Sequence, residues 1–117
     1  MSNPNYITLY YNSDSARAKQ TLAYAKTENI SINDINILKT TLPGTKIAQL
    51  AKGLGIEVSE LVNQEHPTYA DKFENHTFSS DDWIKMIHHY PEIMRQPIAV
   101  KGEKTMMISS PRDIDKL

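Results

Sequence analysis

The sequence contains no cysteine, and this absence excludes several classes of function. Without a thiol the chain forms no disulfide bond and has no thiolate that could act as a nucleophile. No apolar run approaches the roughly 18 residues that a membrane-spanning helix needs. The 13 basic and 14 acidic residues give a net charge of −1, which lacks the basic footprint of a nucleic-acid-binding protein. We therefore expect no disulfide framework, no membrane span and no nucleic-acid partner.

Length and composition are those of a small globular protein. The chain has 117 residues, of which 39% are hydrophobic and 23% are charged, values that suit one domain with a modest core. The first residues, Met1–Asn5, include no basic residue and no apolar segment of the kind found in secretory signals. We predict a single domain over residues 1–117 and a cytoplasmic location.

The first third of the chain has the pattern of a strand, a helix and a second strand. Tyr6–Tyr11 is a run of residues that favour strands. A helix follows, capped by a residue within Ser13–Ser15 and ending near Glu28. The isoleucines of Ser31–Ile37 predict the second strand.

The middle of the chain is predicted to be helical. Ile47, Leu50, Ala51 and Leu54 recur at helical spacing, and Gly55 suits a left-handed cap after them. The predicted elements are a helix beginning at Pro43 and ending at Leu54, a helical turn at Val58–Val62, and a mobile loop over Asn63–Thr77 with a helical piece near Tyr69–Phe73.

The last third begins with a helix and ends with a hairpin. Ser79–Asp82 predicts a capped helix start, and Pro91 ends that helix. Two short strands are expected around a turn at Lys101–Lys104. A final helix is expected after Ser109 and Ser110, with proline at its first position. The predicted strands are Gln96–Val100 and Thr105–Ile108. This order of elements predicts a mixed α/β fold with a small sheet covered by helices.

Six segments, in order, carry a family resemblance: Tyr11–Leu22, Leu38–Thr40, Leu50–Ile56, Glu60–Asn63, Pro97–Gly102 and Ser109–Pro111. In that order they resemble the motifs N-P-x-C-x-x-S-R-x-T-L, L-K-T, L-L-x-K-L-G-L, E-L-L-R, P-I-V-V-K-G and G-R-P of the glutaredoxin-dependent arsenate reductases and their relatives, the Spx-type transcription regulators. The resemblance extends over nearly the whole chain from Tyr6, and it implies a thioredoxin-like fold: a small mixed four-stranded sheet flanked by helices, with a helical insertion between the βαβ unit and the C-terminal hairpin. It also implies a monomer.

The catalytic positions of that family are changed in this chain. The family uses a cysteine thiolate and three arginines that bind the oxyanion. Ser15 stands at the cysteine position, and a serine hydroxyl neither ionises near neutral pH nor forms a disulfide. The remaining positions carry Asn63, Gln96 beside Arg95, and Ser110 near Arg112, while Lys19 stands at the basic position after the cysteine. We therefore do not expect arsenate reduction by the family's cysteine mechanism.

Two interpretations of the segment around Ser15 remain open. In one, the N-terminus of the first helix holds an anion, with Asn12, Arg17 and Lys19 around it. In the other, Ser15 caps the helix and the basic side chains are solvated. The resemblance further implies that the bond before Pro97 is cis and that this proline lies close to the same turn.

The histidines give no metal motif, and we expect neither a metal nor another cofactor. His88 and His89 are adjacent and point about 100° apart on a helix, so they chelate one ion poorly. His66 and His76 stand in the predicted loop.

Three functions remain open at this point. One is a non-catalytic adaptor or regulator that binds a protein, as Spx-type relatives bind RNA polymerase; that partner is an analogy. Another is a cysteine-free enzyme or binder of an oxyanion or glutathione. The third is a diverged copy with a structural or dispensable role.

Overall fold

The computed structural model describes residues 6–73 and 78–117. His76 therefore lies outside the described residues, as do Met1–Asn5. Within the described ranges the chain forms strands, α-helices and two short 3₁₀ helices. In chain order they are β1 (Tyr6–Tyr11), α1 (Ala16–Thr27), β2 (Ser31–Asn36), α2 (Gly44–Leu54), α3 (Val58–Leu61), α4 (Pro67–Phe73), α5 (Ser80–His89), a 3₁₀ helix (Pro91–Ile93), β3 (Ile98–Lys101), β4 (Lys104–Met107) and a C-terminal 3₁₀ helix (Pro111–Lys116).

The strands form one four-stranded mixed sheet in the order β2-β1-β3-β4. β1 pairs parallel with β2, and α1 is the crossover connection that a parallel pair requires. β3 pairs antiparallel with β1, and β4 pairs antiparallel with β3. The predicted mixed α/β fold with a four-stranded sheet is therefore confirmed.

Contacts divide the described chain into two compact units. The sheet unit comprises the described residues of Met1–Thr40 together with Gln96–Leu117 and holds all four strands. The helical unit comprises the described residues of Thr41–Arg95 and is the helical insertion expected from the sequence. The prediction of a single domain over residues 1–117 stays a prediction.

One buried cluster of the sheet unit lies on one face of the sheet. Ile7 and Leu9 of β1 are buried there with Ala99 of β3, because alternate residues of a strand point to the same face. Ala25 of α1 and Ile114 of the C-terminal 3₁₀ helix are buried in the same cluster. This packing covers that face and fixes α1, whose first turn carries the candidate site.

The helical unit is built on the apolar faces of α2 and α5. Ile47, Leu50 and Ala51 are the buried residues of α2, at the helical spacing expected from the sequence. The two helices pack closely: a Cβ added at Gly44 would lie 3.2 Å from Cγ2 of Ile84. The capping box that the sequence predicts at the start of α5 is present, with the hydroxyl of Ser79 accepting from the main-chain nitrogen of Asp82 at 3.3 Å.

Several predicted boundaries shift by one or two residues. The helical piece expected at Tyr69–Phe73 begins earlier, at Pro67, a residue suited to the first turn of a helix. The hairpin loop between β3 and β4 has two residues, and Gly102 has a φ of +59°, so β4 already begins at Lys104. The final helix is a 3₁₀ helix. In the described part of the chain, no helix is long and apolar enough to cross a membrane.

Candidate functional site

Ser15 is the N-cap of α1. Its Oγ accepts a hydrogen bond from the main-chain nitrogen of Ala18 at 3.3 Å, and its main-chain conformation is extended. Its main-chain oxygen accepts from the nitrogen of Lys19 at 3.1 Å, which begins the helical hydrogen bonding. Within the described residues no other side chain hydrogen-bonds to the Ser15 hydroxyl. The arrangement is that of a helix cap, and it supplies no general base to activate the hydroxyl as a nucleophile.

The turn before Ser15 is held by Asn12. The Oδ1 of Asn12 accepts from the nitrogen of Asp14 at 2.7 Å, and its main-chain oxygen accepts from the nitrogen of Ser15 at 3.0 Å. The first bond makes an Asx turn, in which a side chain replaces a backbone acceptor, and the second is the main-chain bond of a β-turn over residues 12–15. The Asn12 side chain therefore shapes the turn, and its oxygen is already engaged.

Gln96, two residues before β3, contacts the same turn. Its Oε1 accepts a hydrogen bond from the main-chain nitrogen of Asn12 at 3.1 Å. The β1–β3 register pairs Tyr10 with Ile98, and its continuation would place Asn12 opposite Gln96. The Gln96–Pro97 peptide bond is cis, as the resemblance implies. The side-chain amide of Gln96 thus supplies, at the start of the turn, an acceptor where a paired strand would supply a main-chain oxygen.

Two basic side chains of α1, those of Arg17 and Lys19, lie toward its N-terminal end. Arg17 and Lys19 are both exposed, and neither side chain makes a hydrogen bond or ion pair within the described residues. No acidic residue lies in the first turn of α1. Two positive charges at the positive end of a helix dipole do not stabilise that helix. Their charges favour an anion near Ser15, whereas the exposed carboxylate of the neighbouring Asp14 opposes one.

Ser110 is part of a second cap, at the C-terminal 3₁₀ helix. Asp113 Oδ2 accepts from the main-chain nitrogens of Ser109 and Ser110 at 2.9 and 3.0 Å, and its Oδ1 accepts from Lys116 Nζ at 3.1 Å. The Ser110 nitrogen, followed by Lys116 and the Ser109 nitrogen, holds the pKa of the Asp113 carboxyl below its usual range. The Asp113 carboxylate therefore already accepts the hydrogen bonds that these two main-chain N–H groups could donate to an external anion. Nearby Arg112 is exposed.

The other two candidate residues, Asn63 and Arg95, belong to the helical unit. The nitrogen of Asn63 donates to the oxygen of Ile93 at 2.7 Å, and the nitrogen of Arg95 donates to the oxygen of Leu61 at 2.7 Å. Asn63 Oδ1 accepts from the nitrogen of Glu65 at 3.1 Å, which again makes it a turn residue. Arg95 is exposed.

A groove of about 540 Å³ lies beside Arg95 in the helical unit. Its apolar lining comes from Ile56 and Val62, and its polar lining includes acidic and basic side chains. The lining residues are Ile56, Ser59, Glu60, Val62, Gln64, Glu65 and Arg95. No sequence motif predicts this groove, because it depends on how the end of α3 pairs with the segment that ends at Arg95.

Another contact that the sequence did not reveal lies next to the turn. The hydroxyl of Tyr11 donates to Oδ2 of Asp34 at 3.1 Å, across the parallel strands β1 and β2. Burial, followed by this hydrogen bond and the Asp34 charge, raises the pKa of Tyr11. The two residues are 23 positions apart, so strand register is needed to predict their contact.

Several of the predicted site residues therefore make hydrogen bonds that stabilise turns and helix caps. The structure joins Asn12 to Ser15 and to Gln96 directly, and it uses Ser110 in a cap. Within the described residues, no group of three or more histidine, aspartate or glutamate side chains could hold a metal ion. His88 instead has its Nε2 at 2.7 Å from the main-chain oxygen of Leu42.

No family model matches the chain, and no curated protein matches it. Solved structures do match. An arsenate reductase from Vibrio cholerae superposes with a TM-score of 0.85 at 20% identity, covering 97% of this chain and 98% of that protein. An arsenate reductase (ArsC) related protein from Brucella melitensis superposes with a TM-score of 0.73 at 14% identity, covering 99% of this chain and 97% of that protein. At these identities the likeness is one of fold: the chain has the thioredoxin-like fold of arsenate reductase structures, and it has no cysteine.

Proposed function

We propose that this chain is a divergent, non-catalytic member of the arsenate reductase family that acts in the cytoplasm, as a monomer, by binding another protein. The observation that supports this most directly is the state of Ser15. It stands where the resemblance places the nucleophilic cysteine, and its hydroxyl accepts a hydrogen bond from the nitrogen of Ala18 as a helix cap. A serine used in this way, without a base partner, does not attack an oxyanion.

The changed arginine positions give independent support. The side chain of Asn63 accepts a hydrogen bond within its own turn, that of Gln96 accepts one from the distant main-chain nitrogen of Asn12, and Ser110 belongs to a capping box. A hydrogen bond from an arginine to an oxyanion contributes about 1.5–3 kcal/mol, so the loss of three arginines removes most of the binding free energy for such a substrate. The nucleophile position and the three oxyanion-binding positions that the resemblance implies are all changed, and this combination supports a non-catalytic role.

A protein-binding role rests on the resemblance. The fold matches nearly the whole length of the arsenate reductase from Vibrio cholerae, although this chain has no cysteine. The Spx-type relatives, which share the segments quoted above, act by docking on RNA polymerase. A fold that no longer catalyses a reaction can still present a surface that binds another protein. By analogy with the Spx-type relatives, RNA polymerase is the first partner to test.

The activity test uses restoration of the lost groups. Purified wild-type protein and the Ser15→Cys variant are assayed for arsenate reduction with glutathione and glutaredoxin. We expect no turnover by either, because the arginine positions are also changed. A combined Ser15→Cys, Asn63→Arg, Gln96→Arg and Ser110→Arg variant reports whether the fold still supports the reaction. Turnover by the wild-type protein would overturn the proposal.

The alternative function is a binder of an oxyanion or glutathione, and the exposed cations Arg17 and Lys19 favour it. Such a ligand at 100 times its Kd would stabilise the protein by about 2.7 kcal/mol. We expect phosphate, arsenate and glutathione to leave the melting temperature unchanged beyond the effect of matched ionic strength. A rise that Lys19→Ala abolishes, and that Lys26→Ala on the last turn of α1 preserves, would establish the alternative.

The partner test starts with tagged protein expressed in its own host, cross-linked and purified, with bound proteins identified by mass spectrometry. A co-purified protein counts as a partner when the two purified proteins form a stoichiometric complex in analytical ultracentrifugation. RNA polymerase subunits in that complex would identify the chain as a regulator. The absence of any complex, in the same experiment that recovers a known partner of a control protein, would contradict the adaptor role.

A further inference from the structure

We draw no further inference here: the strongest candidate, the groove of about 540 Å³ beside Arg95 in the helical unit, mixes acidic and basic side chains in its lining, and nothing in the structure shows what covers it.

Discussion

The side-chain oxygen of Gln96 accepts a hydrogen bond from the main-chain nitrogen of Asn12 at 3.1 Å. This contact links the residue before Pro97 to the turn that opens α1, although the two residues are 84 positions apart. The resemblance places an oxyanion-binding arginine at this position. Gln96 contacts the protein's own main chain, so its role here is to hold the turn in place.

Replacement of Gln96 by alanine should therefore lower stability. A part-buried hydrogen bond contributes about 1 kcal/mol to the free energy of unfolding. Without the Gln96 side chain, the main-chain nitrogen of Asn12 can donate only to water. We expect Gln96→Ala to reduce the free energy of unfolding by about that amount in urea denaturation. Gln20→Ala is the matched control, because Gln20 is exposed on α1 and alanine is at least as good a helix former.

The nature of the substituent gives a second comparison at the same site. Gln96→Glu keeps a side-chain acceptor for the Asn12 nitrogen, whereas Gln96→Arg removes it. We expect the glutamate variant to be the more stable of the two. Equal stability of all the Gln96 variants would show that the hydrogen bond to Asn12 is not maintained in solution.

Ser15 offers a test of its role as a cap. Replacement of an N-cap serine by alanine costs about 1 kcal/mol, while aspartate caps equally well. We expect Ser15→Ala to lose about 1 kcal/mol of unfolding free energy and Ser15→Asp to retain wild-type stability or exceed it, because Arg17 and Lys19 are close in the sequence. The measurement is urea denaturation followed by circular dichroism.

The aspartate variant also distinguishes the cap from an anion pocket. A carboxylate at position 15 would repel an oxyanion ligand and would relieve the unfavourable charges at the start of α1. If Ser15→Asp is less stable than Ser15→Ala, the hydroxyl is not acting as a simple cap, and the anion-binding interpretation gains support.

The elements that the sequence predicted well are those with strong local signals. The strand Tyr6–Tyr11 was predicted at its observed bounds because it is an unbroken run of strand-forming residues. The caps at Ser79 and Ser110 followed from serine and aspartate three positions apart. Such signals lie within a few residues of one another, so no knowledge of the tertiary structure is needed to read them.

The parts of the site that could not be predicted depend on contacts between distant residues. The bond between Asn12 and Gln96 requires the β1–β3 register, and the bond between Tyr11 and Asp34 requires the β1–β2 register. A single sequence predicts where the strands are, but it does not predict the register in which they pair. The candidate residues were therefore found by resemblance, while their hydrogen-bond partners came from the structure.

Gly55 should be sensitive to substitution although its surroundings are open. It ends α2 with a φ of +74°, and a Cβ added there would meet nothing within 4 Å. Any loss on substitution therefore comes from the left-handed backbone conformation, which costs a residue with a side chain roughly 1 kcal/mol or more. We expect Gly55→Ala to lower the unfolding free energy by about 1 kcal/mol, with Gly55→Asn less affected because asparagine tolerates this conformation better.

A circular dichroism melt of both variants tests this comparison. Gly53→Ala is the matched control, since Gly53 lies inside α2 and has no left-handed conformation to maintain. Alanine there should raise stability slightly through its higher helix propensity. Equal effects at positions 53 and 55 would contradict the assignment of the helix end.

Asp113 should make the stability of the sheet unit sensitive to acid. Hydrogen bonds from the Ser110 nitrogen, Lys116 and the Ser109 nitrogen hold its pKa below the usual value of a carboxyl group. Because the folded-state pKa is the lower one, the stabilisation is fully present above the unfolded-state value, about 3.9, and is lost as the pH falls through the folded-state pKa. The stability of the wild-type protein should therefore decrease as the pH is lowered from about 5 toward 2.

The variant Asp113→Asn isolates that contribution. It keeps an acceptor oxygen near Ser109 and Ser110 but carries no charge, so it should be less stable than the wild-type protein at pH 7. The difference between the two should shrink as the pH falls from about 4 through the lowered folded-state pKa of Asp113, since the carboxyl is protonated first in the unfolded chain and then in the folded protein. Urea denaturation at a series of pH values measures this difference, with Glu103→Gln on the hairpin loop as the control. A difference that stays constant from pH 7 to pH 2 would show that the charge of Asp113 does not stabilise the cap.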